Sequence, residues 1–188
     1  MKAGIFGGTF DPIHIGHLIT AQSVLIERGL DLIIFMPCYI SPHKTGKNSA
    51  PPEHRLNMVK LAIEGKEKFI CSSYEIEKEE VSFTIDTINH LKKEYGHLEL
   101  IIGYDSLLNF ESWKEPEKIV ELVKLVVMKR SSLDNRSNKF FKDALFVDTP
   151  IVDISSTEIR EKRRNNLPID FLVTEKVLKY ITEHDLYK

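Results

Sequence analysis

Residues 4–17 read Gly4-Ile5-Phe6-Gly7-Gly8-Thr9-Phe10-Asp11-Pro12-Ile13-His14-Ile15-Gly16-His17. The short apolar stretch Ala3 to Phe6 predicts a strand, and it runs into a predicted Gly7-Gly8 turn where absent side chains let backbone NH groups close on a ligand's oxygens. His14 and His17 follow three residues apart where a helix is expected to begin, at the end whose dipole favours anions. Alone, a Gly-Gly after a strand is an ordinary tight turn, and a histidine near a helix start is an ordinary capping or surface residue. In the order strand, glycines, Thr-Phe-Asp-Pro, then HxGH, they converge on one anion. The stretch is neither GxGxxG nor GxxxxGK[ST], which argues against a dinucleotide-redox domain and a Walker-type ATPase.

Outward from this stretch, apolar strands alternate with amphipathic helices. Strands are predicted at Ala3–Phe6, Leu32–Met36, Phe69–Ser72, Leu98–Ile102, Leu125–Met128 and Leu145–Val147. Helices are predicted near Leu18–Arg28, Glu53–Glu64, Ile85–Tyr95 and Glu117–Leu122, with Gly29, Gly65 and Gly96 as helix-ending glycines. Near-continuous hydrophobic strands imply burial on both faces. The expected fold is therefore α/β, a doubly wound and mainly parallel Rossmann-like sheet. From about residue 150 the pattern turns helical, at Ser156–Arg164 and Thr174–His184, as a C-terminal part of a single domain spanning 1–188. Segments 37–52 and 131–139 read as loops. The first lies at a strand's carboxyl end, where open α/β sheets bind ligands, and is read as a wall or lid of the site.

The chain has 188 residues, 42% hydrophobic content and a formal charge of −2, which suits one globular domain with a sizeable core. No charged leader or ~20-residue apolar run is read, so the expectation is a cytoplasmic protein without a membrane partner. Cys38 and Cys71 form neither CxxC nor a Cys/His cluster, so no disulfide scaffold and no metal site is predicted. The near-neutral charge gives no nucleic-acid footprint, and the composition is compatible with a homo-oligomer.

GGTFDPIHIGH resembles the opening motif of the HxGH nucleotidylyltransferase superfamily. The segment Ile154-Ser155-Ser156-Thr157-Glu158-Ile159-Arg160 resembles its second signature. SPHK (41–44), SFTIDT (82–87) and IGYDSLLNFESW (102–113) are similar to its bacterial nicotinate-nucleotide adenylyltransferase branch, so the likeness spans nearly the whole chain. Spacing alone reads Ser155 and Glu158 as a capping box. The resemblance implies instead that this helix start closes over ATP. Its implied ATP contacts are Gly7, Gly8, Thr9, Phe10, Gly103, Asp105, Ile154, Ser156 and Thr157, and its implied catalytic set is His14, His17, Lys44 and Arg160. Asp105 would accept from a ribose hydroxyl, with an N-cap of the short helix as its plain structural alternative. Tyr104 stands where the family usually has a small residue. Thr84, Trp113 and Lys114 are the implied nicotinate mononucleotide contacts, although a single tryptophan is more often a core or rim residue.

No nucleophile with an adjacent base stands out, so no covalent intermediate is expected. The implied reaction is in-line attack of the acceptor phosphate on the α-phosphate of ATP, expelling pyrophosphate. Mg2+ is expected to travel on the phosphates with mostly water ligands. Two alternatives stay open. One is a sister transferase of the superfamily, such as a pantetheine-phosphate adenylyltransferase or a cytidylyltransferase. The other is a nucleotide-sensing module without catalysis, against which both histidines and Arg160 weigh.

Overall fold

The computed structural model describes residues 1–42, 49–128 and 137–188. Six strands, β1 (Lys2–Gly8), β2 (Leu32–Pro37), β3 (Phe69–Cys71), β4 (His97–Gly103), β5 (Lys124–Met128) and β6 (Ala144–Val147), pair in the order β3-β2-β1-β4-β5-β6. Every pairing is parallel. Successive strands step outward from β1 on one side and from β4 on the other. The connections therefore part above the carboxyl ends of β1 and β4, which opens a crevice there.

The strands are apolar on both faces because both faces are covered. Ala3, Ile5, Ile34, Met36, Leu98, Leu100 and Leu125 point into one cluster, together with Ile85, Ile88 and Leu91 of α4 (Thr84–Leu91), Leu107 of α5 (Tyr104–Leu108) and Ile119 of α6 (Pro116–Leu122). Phe6, Ile33, Phe35, Ile101 and Val126 point into the other. That cluster is closed by α1 (Ile15–Glu27), α2 (Pro52–Ile63), α7 (Ser156–Arg164) and α8 (Glu175–Glu183). The helices that end the chain thus cover the same face as α1 and α2. None of the described helices is long and apolar enough to cross a membrane.

Several local expectations change. Gly7 and Gly8 are not a turn; they are the last two residues of β1, with Gly8 opposite Pro37 and its carbonyl accepting from the Cys38 NH at 3.0 Å. Pairing with β2 carries the strand two residues further than its apolar run. The direction changes at Phe10, in the left-handed region at φ 48°. Helix α1 starts at Ile15, not Leu18, so His17 lies in its first turn. Gly29 and Gly65 take φ of 56° and 75° just beyond α1 and α2. Gly96 has no such φ, because α4 already stops at Leu91. The four-residue α3 (Tyr74–Glu77) lacked any sequence signal.

Candidate active site

The HxGH histidines are ordered by one another. The His14 backbone NH donates to His17 Nδ1 at 3.2 Å, which puts the proton of a neutral His17 on Nε2. The two rings stack with centroids 3.6 Å apart. Phe10, strained in the left-handed region, is held by its ring. That ring is 3% exposed and packs edge-on against His17 at 5.1 Å and Phe6 at 5.8 Å. A Cβ at residue 16 would lie 3.1 Å from His14 Nδ1, so Gly16 lets the imidazole fold back over the helix start. His14 is 7% exposed, and burial lowers its pKa to about 4. The ring is therefore neutral near pH 7, and its Nδ1 has no hydrogen-bond partner among the described residues.

The ISSTEIR segment closes on this turn. Ser155 caps α7 by accepting from the Glu158 NH at 3.1 Å, as its spacing predicts. Ser156 Oγ donates to the Pro12 carbonyl at 2.9 Å, and Arg160 donates to the Asp11 carbonyl at 2.7 Å. The Asp11 carboxylate lies 3.6 Å from the same guanidinium. Beneath it, Arg55 is 1% exposed and donates to the carbonyls of Thr9, Cys38, Tyr39 and Ala50 at 2.7–3.0 Å. One fork-shaped cation thereby joins the end of β1 to both ends of the loop after β2.

Two cavities open on these elements. The first, of about 620 Å³, is lined by Gly7, Thr84, Gly103, Asp105, Trp113 and Lys114. The second, of about 890 Å³, is lined by Asp11, His14, His17, Ile154, Ser156, Thr157 and Arg160. Both touch Phe6, Gly8, Thr9 and Ser41, so they adjoin as two lobes over the end of β1. A Cβ at Gly7 would meet nothing within 4 Å; that position faces open space.

Gly103 and Asp105 thus share a lobe with Thr84 and Trp113, not with the histidines. Asp105 does not cap its helix, because Gly103 is the N-cap and Asp105 lies in the first turn. Trp113 is half-buried against Phe110, with centroids 5.0 Å apart, so it serves core and cavity wall together. Lys114 Nζ sits 4.7 Å over the Phe83 ring and 3.4 Å from Asp86. Phe10 faces the second lobe from a buried ring. Lys44 lies outside the described residues.

Four residues of this architecture were given no role by sequence reasoning. Asp11, Arg55 and Tyr187 act through partners remote in the chain. Glu75, also buried, accepts from Thr87 Oγ1 on the wall of the first lobe, and burial pushes its carboxyl up. Asp11 was visible inside the motif; the others carry no local pattern. Among the described residues no group of three or more His, Cys, Asp or Glu is placed to hold a metal ion.

The sequence profile described as Cytidylyltransferase-like matches residues 5–162. A protein of Clostridium tetani named "Probable nicotinate-nucleotide adenylyltransferase" is 42% identical over all of this chain and 99% of its own. The Bacillus subtilis "Nicotinate-nucleotide adenylyltransferase" is 40% identical over all of this chain and 98% of its own. The chain belongs to the nicotinate-nucleotide adenylyltransferase family. Its fold matches that of the Plasmodium falciparum nicotinic acid mononucleotide adenylyltransferase complexed with NaAD, with a TM-score of 0.77 at 22% identity, covering 99% of this chain and 97% of the other. Family membership and the two adjoining lobes give independent reasons to read the crevice as a two-substrate site.

Proposed function

We propose that this chain transfers the adenylyl group of ATP to nicotinate mononucleotide, giving nicotinic acid adenine dinucleotide and pyrophosphate in NAD biosynthesis. The observation that carries the reading is the junction of the two lobes at Gly8 and Thr9, beside the stacked histidines. ATP occupies the lobe of His14, His17 and Arg160, with its adenosine toward Ile154, Ser156 and Thr157. Nicotinate mononucleotide occupies the lobe of Thr84, Trp113 and Lys114. Asp105, exposed on that wall, accepts from a ribose hydroxyl.

An oxygen of the acceptor phosphate attacks the α-phosphorus. A new P–O bond forms as the bond to the β-phosphate breaks, and pyrophosphate leaves with the electron pair. The protein's work is positioning and charge stabilisation. His17, with its proton on Nε2, and the Arg160 guanidinium donate to the phosphoryl oxygens. Lys44 adds a point charge. The described residues offer no carboxylate cage, and Asp11 already accepts from protein donors, so magnesium belongs to the substrate, carried on ATP's own phosphates. A cytoplasmic site of action belongs to the same proposal.

The deciding experiment incubates the protein with ATP and magnesium and, in separate reactions, nicotinate mononucleotide, nicotinamide mononucleotide or phosphopantetheine. Pyrophosphate and the dinucleotide product are then measured. Release with phosphopantetheine alone would move the chain to the sister transferase, and binding without release would make it a sensor.

A further inference from the structure

We propose that Tyr187 is a positioning residue for adenylyl transfer, its hydroxyl holding the Asp11 carboxylate away from Arg160 so that the guanidinium is kept for phosphate. The inference rests on the reading of His17 and Arg160 as phosphate ligands.

Asp11 sits three residues before His14, between the left-handed Phe10 and Pro12, and is 5% exposed. A buried carboxylate is acceptor-only and needs donors for its charge. Oδ1 has two neutral ones, the Tyr187 hydroxyl at 2.8 Å and the Ala50 backbone NH at 3.1 Å. Oδ2 makes a loose ion pair with Arg160 Nη1 at 3.6 Å, too long for a hydrogen bond. Arg160 gives its hydrogen bonds to neutral acceptors, the Asp11 backbone carbonyl at 2.7 Å and Thr157 Oγ1 at 3.3 Å, which fix the side chain while its pairing with the carboxylate stays loose.

The carboxylate and the phosphates of ATP therefore compete for one guanidinium. Two donors on Oδ1 bias that competition by drawing the carboxylate's charge to the far side. Without the hydroxyl, Asp11 has one neutral donor left, and its remaining way to satisfy the charge is to close on Arg160 as a bidentate pair. Such a pair would hold the cation away from the oxygens where charge develops in transfer. Tyr187 lies 176 residues from Asp11 in sequence, half-buried beyond α8, so the contact is one that only the folded chain makes. Burial and the neighbouring Asp11 charge both push the Tyr187 phenol up, which keeps it a proton donor at any working pH.

The test compares wild type, Tyr187→Phe, Asp11→Asn and the double variant in steady-state assays with ATP and nicotinate mononucleotide, alongside thermal melts. Phenylalanine keeps the ring packing and removes only the donor. Tyr187→Phe is expected to lower kcat on the order of tenfold per folded molecule, with KM for nicotinate mononucleotide unchanged. The double variant is expected to be no slower than Asp11→Asn, since Tyr187 acts through that carboxylate. Wild-type kcat in Tyr187→Phe, a loss explained by the unfolded fraction alone, or additive effects in the double variant would each overturn the inference. Should Asp11→Asn not fold, the kcat of Tyr187→Phe per folded molecule decides. His17→Ala is assayed in parallel: near-normal turnover there defeats the phosphate reading itself, whereas a defect there beside a normal Tyr187→Phe defeats only the role of Tyr187.

Discussion

The imidazoles of His14 and His17 stack 3.6 Å apart while the His14 backbone NH donates to His17 Nδ1, and that backbone bond leaves the proton of a neutral His17 on Nε2. This presents a preorganised donor, His17 Nε2–H, at the start of α1. Donors aimed at developing charge act mainly on the transition state. His17→Ala should lower kcat by about 10²–10³-fold and weaken ATP binding much less. Steady-state kinetics and calorimetry on the same preparation check the split, and near-normal turnover would leave His17 as a helix-start residue only.

His14 predicts a pH dependence of stability. Its folded pKa is lowered by burial to about 4, against 6.5 for the free side chain, so between these values the unfolded chain takes a proton that the folded one refuses. Stability contributed by this group is complete above pH 7 and falls as pH drops from about 6.5 toward 4, by at most roughly 3 kcal/mol. Denaturant melts at pH 7.5, 6 and 5 should show a steeper acid loss for wild type than for His14→Asn. Parallel curves would mean that His14 is hydrated in solution.

The acceptor preference follows from the proposed first lobe. If backbone NH groups receive the nicotinate acid there, charge-assisted bonds worth about 1.5–3 kcal/mol favour it over the amide. kcat/KM for nicotinate mononucleotide should exceed that for nicotinamide mononucleotide by about one to two orders of magnitude. Equal rates would overturn the pocket assignment.

Trp113→Ala and Thr84→Ala should raise KM for the pyridine nucleotide and leave KM for ATP nearly unchanged, because both residues line the first lobe and not the second. Trp113 also packs on Phe110, so a fall in melting temperature should accompany its loss. An effect confined to ATP would reverse the assignment of the lobes.

Arg55→Leu should be the most destabilising of these changes. It removes a buried cation that satisfies four carbonyls, and each buried acceptor left unpaired costs about 1–3 kcal/mol. Loss of cooperative unfolding or of soluble expression is the expected readout. A melting temperature within a few degrees of wild type would show that water replaces the guanidinium.

The strands were legible because each is short and rich in Ile, Val, Leu or Phe, and a strand buried on both faces needs little else. The phosphate stretch was legible because glycine, a helix start and paired imidazoles are local requirements. Where reading failed, a distant partner had intervened. Gly7-Gly8 stays in β1 because β2 continues to pair with it as far as Pro37. Asp105 gives up the cap because the backbone of Gly103 already takes that position. Which lobe Gly103 and Asp105 line had no local signal either: β4 adjoins β1 at the sheet's switch point and brings them beside Thr84.

The sequence by itself determined the α/β alternation, the HxGH pair and the capping serine at Ser155, each carried by neighbours within a few residues, and the family, carried by motifs spread over nearly the whole chain. Only the tertiary structure decided that the strand order opens a crevice between β1 and β4, that Arg55 holds four carbonyls, and that Tyr187 reaches Asp11. It alone decided that His14 is neutral, since desolvation depends on what folds over a group and not on what precedes or follows it.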